Sequence, residues 1–588
     1  MDVNALFDLV SKEINKEKMV QNVKEIGKWH RYTGAAGGEA CVDHLLSELE
    51  KYGVPAKAER YQAFVSLPID EGTELVLESG EHLRLIGEVY SKAVENLDCE
   101  LVYDHWSEQK KIYELEEKER LKSFRGKLVL THSGGGDFAE KLFRAGAIGM
   151  IHISMSRGGY IHHCNIGAEW GTPSADAMNR IVSIPAADVS FEDGQMLIER
   201  LEHGETIKGF LTIRMESGVR NSRMVIADIP GKSENFILIN GHYDSWYEGI
   251  TDNATSDAIM LELARVFWKH REKLERSVRI AWWSGHSDAR YAGSTWYCDE
   301  HLDELNKKCV ADINLDLTGC KLAEQVRART TCMEGEDFTA SVIEEYTGYK
   351  AKPYIPMIRG GDQSFWGAHI PIDIMFKYEP VDEKRVSACP SGGPWWHTEQ
   401  DTLDKLDNDI LYRDALMNLK IACRILNSQV LPVEMCGFVE KMQGFLNDIN
   451  ASTEPDFDLT QVINAIEKMK PVLKKFEFEI KRVGSVEDDR IIKETAGELS
   501  RLVYTSGSPY QQDRSCAYAP FGVLKQQEGV NLKNVSEECY LFKKTEFKRA
   551  CNRIIGQLEH VMWVMEQYLD RKVKFYVSNY SINTGRSI

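Results

Sequence analysis

The chain has 588 residues, 43% of them hydrophobic and 28% charged, which is the composition of an ordinary soluble protein and too long for one hydrophobic core; about three to four domains are expected. A net charge of −19 excludes nucleic acid as the main partner, because a phosphate backbone calls for a basic patch. No window approaches the roughly 18 apolar residues of a membrane span, and the thirteen scattered cysteines suit free thiols in a reducing compartment, so the expected location is cytoplasmic.

The opening residues, Met1-Asp-Val-Asn-Ala-Leu-Phe, read as an amphipathic helix start rather than a secretory leader. Residues 1–60 are mostly helical. The segment Cys41–Gly53 carries apolar residues at three- and four-residue steps and ends in a glycine suited to a left-handed cap. Residues 60–125 read as short strands and loops. From Gly126 a strand, a helix over Phe138–Gly146 and a strand over Ile148–Ile153 follow within thirty residues, a small α/β unit. Ser133-Gly-Gly-Gly136 lacks the Lys-Ser/Thr of a phosphate loop.

A second texture begins near Arg223. Met224–Ile229, Phe236–Asn240 and Ser277–Trp283 read as buried strands, with a helix over Ala258–Phe267 between the last two. Strands alternating with helices predict an α/β domain with a largely parallel sheet, its site just past the C-terminal strand ends. After about residue 425 the strands fade. Val462, Ile466, Met469, Leu473 and Phe476 recur at helical spacing, with Pro471 expected to interrupt, and a second apolar stripe runs from Cys551 to Tyr568.

Five segments from residue 240 onward hold groups of the kind that bind cations. His242-x-Asp244 follows a strand; imidazole is a good zinc ligand, and a carboxylate behind it fixes its tautomer. Asp252 opens a helix in Thr251-Asp-Asn-Ala254; it suits a helix cap, and one carboxylate can also bridge two cations. Asp316 ends an apolar strand, where an acid is costly unless paired or on a metal. His397 lies in a loop with Thr398 and Asp401-Thr402 behind it. The fifth segment is Ser284-Gly-His-Ser-Asp288.

Together these segments resemble the di-zinc aminopeptidase and glutamate-carboxypeptidase family. Its pattern is His-x-Asp, Asp-Asn, Ser-Gly-Glu-Glu-x-x-x-x-Gly-Ser, Asn-x-Asp and Tyr-His-Thr-x-x-Asp-Thr. Gly361-Asp-Gln-Ser-Phe365 resembles that family's Ser-Asp-x-x-Phe segment, and residues 126–190 resemble a protease-associated domain. The resemblance implies three units: a metallopeptidase-like domain over 1–60 and 220–425, a protease-associated insertion over 61–219, and a helical domain over 426–588. It also implies a homodimer, and one or two divalent cations, zinc by default. His242 and Asp316 would hold one cation and His397 the other. Asp252 would bridge them, with a cis peptide before Asn253, and Asp244 would stand behind His242.

The departure is at the Glu-Glu pair, which supplies the second metal's ligand and the water-activating base. Counting forward from Ser284-Gly285 it maps to His286-Ser287; counting back from Gly293-Ser294 it maps to Ser287-Asp288. The expectation is Asp288 as the ligand and His286 as the general base, whose ordinary pKa near 6.5 suits neutral pH. In the other alignment His286 is itself the ligand. Trp396 also stands where the family often has tyrosine, so a phenol donor is missing there. The expected function is metal-dependent hydrolysis of an amide bond, as an exopeptidase on a small peptide or N-acyl amino acid. The rivals are a non-peptide amidohydrolase, a non-catalytic binding member of the fold, and a single-zinc cyclising enzyme like the glutaminyl cyclases.

Overall fold

The computed structural model describes residues 1–107, 111–379, 389–514 and 520–584. Its centre is four parallel strands, in the spatial order Arg276–Trp283, Ser233–His242, Cys309–Asn314 and Ile372–Glu379. Ile237, Leu238 and Ile239 are buried on both faces of the second of these. A continuous apolar run is what a parallel strand covered by helices on both sides requires. Antiparallel strands flank the four: Gln325–Thr330 on one side and Lys208–Ile229 on the other. The first three of these strands end close together at Trp283, His242 and Asn314, and the fourth runs on past Met375, which pairs with Asn314, to Glu379; the site lies beyond the first three ends. The fold is thus mixed α/β with a largely parallel core, as the alternation of strand and helix predicts.

Residues 60–125 differ from the expected short strands. Ala56–Leu77 is one strand of 22 residues, and it pairs antiparallel with the equally long Lys208–Ile229 from Ala56↔Ala227 to Leu77↔Gly209, with one irregularity between Ile69 and Glu74. The inner half of this ribbon borders the central sheet and the outer half pairs with Val94–Tyr103. The chain leaves the central sheet on one long strand and returns on the other. Between them Val94–Tyr103, Leu128–Thr131, Gly149–Ile153 and Ala186–Val189 form a parallel sheet of their own, with the short Ile86–Gly87 antiparallel at its edge. A boundary drawn at residue 60 or 220 therefore falls inside a continuous strand. Alternating polar and apolar residues on a two-stranded ribbon carry no signal for where it changes neighbours.

Beyond residue 426 the described residues are mostly helical and form no strand. Thr460–Val483 passes through Pro471 as one helix of 24 residues, where the sequence predicts a break. A proline inside a helix removes one hydrogen bond and crowds one carbonyl; here Val462, Ile466, Met469, Leu473, Phe476 and Ile480 stay buried along one face and hold the helix together. The stripe Cys551, Ile554, Leu558, Val561 and Met565 lies on the long helix Glu537–Thr584 and is buried within the chain, where that helix packs against Thr460–Val483 and Asp489–Tyr504. No helix among the described residues is long and apolar enough to cross a membrane.

Candidate metal centre

His242 is the last residue of its strand, level with Trp283 of the neighbouring one. Its Nδ1 faces the backbone carbonyl of Asp244 at 2.9 Å, which fixes Nε2 as the nitrogen turned toward the cavity. That Nε2 is 3.1 Å from Asp252 Oδ1 and 3.6 Å from Asp316 Oδ1, and the other oxygen of Asp252 is 3.1 Å from His397 Nε2. One carboxylate thus joins two imidazoles, an oxygen to each. The peptide bond between Asp252 and Asn253 is cis.

The surrounding backbone sets these positions. Asp401 accepts from the Thr251 amide and hydroxyl and from the Asp252 amide, at 2.9–3.1 Å, and so ties the His397 loop to the Asp252 turn. Asn253 donates to the Leu315 carbonyl at 3.0 Å and accepts from the Leu317 amide at 3.2 Å, which aligns Asp252 with Asp316. His397 Nδ1 faces the carbonyl of His163 at 2.8 Å, and the amide of His163 donates to the His397 carbonyl at 3.1 Å. The loop carrying His163 belongs to the insertion, so the insertion positions one of the candidate ligands. Sequence reasoning did not single out His163; nothing in His162-His163-Cys164 marks a contact across more than 200 residues.

The donor set fits a cation. His242 Nε2 and Asp316 Oδ1 are buried and have no hydrogen-bond partner, although carboxylate and imidazole stand within ion-pair distance. Lone pairs that converge on a shared point rather than on one another are what metal ligands present. Two ligands at ~2.0 Å from a tetrahedral zinc lie about 3.3 Å apart, close to the spacings seen. Burial opposes the His242 imidazolium, but Asp252 and Asp316 override it and hold its pKa well above the usual range. Burial likewise opposes the charge on Asp252, and His242 and His397 hold that carboxyl well below its usual range. The cluster demands positive charge, which the imidazoles supply in direct contact.

The rebuilt pair separates. His286 stacks on His242 with ring centroids 3.7 Å apart, and it stands within ligand spacing of both His242 and Asp316. Its Nδ1 is 2.9 Å from Asp362 Oδ2, and Asp362 Oδ1 accepts from the Ser294 hydroxyl at 2.7 Å. With Nδ1 turned to Asp362, Nε2 is the nitrogen left for a water or a cation. Asp288, expected as a metal ligand, is not brought into this group. Its Oδ2 accepts from the Thr33 amide at 2.9 Å and its carbonyl from the Ser66 amide at 2.9 Å. The loop is one residue longer than the family pattern, and Asp288 turns back onto the N-terminal segment and the long ribbon.

Asp244 is also placed differently from expectation. Its carboxylate is 3.8 Å from His242 Nδ1 and instead accepts from the amides of His286 at 3.2 Å and Ser287 at 3.1 Å. It holds the His286 loop, while its main chain holds His242. Asp362, named in the sequence only as part of a family segment, is the missing partner that orients His286.

These groups face a cavity of about 290 Å³, near the lower end of the roughly 300–1,000 Å³ of ligand pockets. Arg290 and Lys377 line it, as do Tyr291 and Trp396. Trp396 stacks on His397 with centroids 3.5 Å apart and offers no phenol. Tyr291 stands edge-on to His286 at 4.6 Å, and burial raises its phenol above the ordinary pKa, which keeps it a hydrogen-bond donor.

Candidate metal ligands at and near the ends of parallel strands can be compared with known proteins. The family model of Peptidase family M28 matches residues 224–422. The chain is 25% identical to the aminopeptidase NAALADL1 of Rattus norvegicus over 309 residues, 45% of this chain and 40% of the rat protein. It is 21% identical to the aminopeptidase YwaD of Bacillus subtilis over 301 residues, 49% of this chain and 60% of that protein. The matches thus span less than two thirds of these relatives. Among solved structures, the aminopeptidase from Aneurinibacillus sp. strain AM-1 shares the fold, with a TM-score of 0.55 at 21% identity over 72% of this chain and 97% of that one.

Proposed function

We propose that the chain is a metal-dependent peptide hydrolase of exopeptidase type, acting on a short peptide or an N-acyl amino acid. The observation that carries this reading is the single carboxylate of Asp252 set 3.1 Å from each of two imidazoles, His242 and His397. Zinc is the cation proposed, held by His242, Asp252 and Asp316 at one position and by Asp252 and His397 at the other. When bound, such cations acidify water and polarise a scissile carbonyl.

The chain's own residues supply the rest. His286, oriented through Nδ1 by Asp362, has its Nε2 free to take a proton from water and pass it to the leaving amine. Tyr291 donates toward the oxygen on which charge develops, the part that Trp396 cannot play. Arg290 and Lys377 line the cavity beside its carboxylates and imidazoles, and their positive charge suits a substrate carboxylate. The cavity admits a few residues and not a folded chain.

The insertion is read as a protease-associated domain. A homodimer and a cytoplasmic location belong to the same proposal; the cysteines described are all free thiols, as a reducing compartment allows. Metal analysis of purified protein tests the centre: His397→Ala is expected to lose at least one equivalent. A panel of dipeptides and N-acyl amino acids, with free and amidated C-termini, tests the chemistry. Turnover that depends on metal and favours the free carboxylate supports the reading. A fully metallated protein that cleaves nothing in the panel would make it a binding member of the fold.

A further inference from the structure

The sheet of the insertion gathers a second set of metal-binding groups. Ile86 pairs with Asp188 across antiparallel strands, and Glu88, two residues on, lies opposite Ala186 and donates its amide to that carbonyl at 3.0 Å. His152 pairs with Asp188 on the other side in parallel register. Side chains level with one another, or two residues apart, share one face of a sheet. Glu88, His152 and Asp188 therefore project from the same face. Cys164 joins them because its segment runs beside Val89, whose amide donates to the Cys164 carbonyl at 2.9 Å. The ligand atoms of His152, Cys164 and Asp188 all lie within 4.8 Å of one another.

Two observations show that this group lacks something. Glu88 is 1% exposed and neither of its carboxylate oxygens has a hydrogen-bond partner. Asp188 is fully buried; one oxygen meets His152 Nδ1 at 2.6 Å and the other has no partner. Two buried carboxyl groups facing one imidazole are an expensive arrangement, because burying a carboxylate without a partner is costly. A divalent cation would satisfy both carboxylates, the imidazole and the thiolate.

We propose that His152, Cys164, Asp188 and Glu88 form a zinc site in the insertion, with a ligand set of its own, although Glu88, His152 and Cys164 line the same cavity as the centre at Asp252. A sulfur, an imidazole nitrogen and carboxylate oxygens are the mixed donor set that zinc takes in four-coordinate sites, whereas calcium and magnesium take oxygen alone. Binding releases the Cys164 thiol proton and any proton shared by the two carboxyl groups. Cys164 directly follows His162 and His163, which reach across to the carbonyls of Trp396 and His397. A cation on Cys164 would pin the loop that orients His397.

Cobalt substitution tests this without reference to activity. The stripped full-length protein reloaded with Co²⁺ is expected to show a thiolate-to-cobalt charge-transfer band in the near ultraviolet. Cys164→Ser should abolish the band, while His397→Ala should lose metal at the Asp252 centre and keep it, so failure of this site and failure of the peptidase reading are distinguishable. Glu88→Gln should weaken cobalt binding at the thiolate site at least tenfold while melting no lower than wild type in metal-free buffer, and it serves also if Cys164→Ser does not fold. Absence of the band in wild type, its survival in Cys164→Ser, or unchanged cobalt affinity in Glu88→Gln would overturn the proposed set.

Discussion

The dyad of His286 and Asp362 makes the sharpest prediction. Asp362→Asn leaves the shape of the side chain and removes its charge. The wild-type contact is 2.9 Å long and fixes the tautomer with Nδ1 protonated. A hydrogen bond to a charged group contributes about 1.5–3 kcal/mol, which corresponds to about 10- to 150-fold in kcat. If the asparagine amide turns its NH₂ toward Nδ1 the tautomer reverses, Nε2 carries the proton, and the loss approaches the ~10⁴-fold of other dyads broken in this way. His286→Ala removes the base itself and should cost about 10²–10⁴ in kcat. Neither substitution should change metal content, because Asp252, His242, Asp316 and His397 remain. Asp288→Asn should leave metal content and kcat within a few-fold of wild type, since its carboxylate bonds to the Thr33 amide. The assay is kcat on the best peptide of the panel beside metal stoichiometry of each variant. Loss of one metal equivalent from His286→Ala would refute the base reasoning and make His286 a ligand; loss from Asp288→Asn would refute the placement of Asp288.

Three further outcomes are expected. Tyr291→Phe should lower kcat by about 10²–10³ with KM little changed, the effect of removing one donor to a developing oxyanion; an unchanged kcat would take Tyr291 out of the chemistry. Lys493 is buried under the central sheet with its ammonium on the Ala368 carbonyl, and burial pushes its pKa down to about 7. Its unfolded value is near 10.4, so between about pH 7 and 10 the unfolded chain binds more protons, and this residue's contribution to stability rises with pH across that window. Lys493→Met should therefore raise stability at pH 7 by on the order of a few kcal/mol and reduce that dependence in urea titrations; a variant less stable than wild type at pH 7 would contradict the sign. Light scattering should give a dimer mass at micromolar concentration. The stripe at 551–568 cannot supply the interface, being buried within the chain, whereas Leu541, Phe542 and Trp563 are exposed on the same helix; Trp563→Glu yielding a monomer would place the interface there, and a monomeric wild type would remove the dimer.

The α/β class of the central domain was legible because parallel strands covered on both sides must be continuous apolar runs. His242 and Asp316 were legible for a related reason: an imidazole or an acid at the end of such a run needs a purpose; Asp252, in a turn, and His397, in a loop, were legible only from the family resemblance of the ordered segments. The helical end was legible from its 3.6-residue periodicity, yet not its continuity, since Pro471 is tolerated only because six buried side chains grip the same face. The long ribbon was not legible, because nothing local tells a strand that it will change neighbours halfway along. The placement of the side chains in the rebuilt segment came from tertiary contact alone. Which of His286 and Asp288 faces the cavity depends on Thr33, Ser66 and Asp362, groups 76 to 255 residues away in the chain. Residue type and spacing set which chemistry was available; only the packing of distant backbone amides and carboxylates decided which side chain turned toward it.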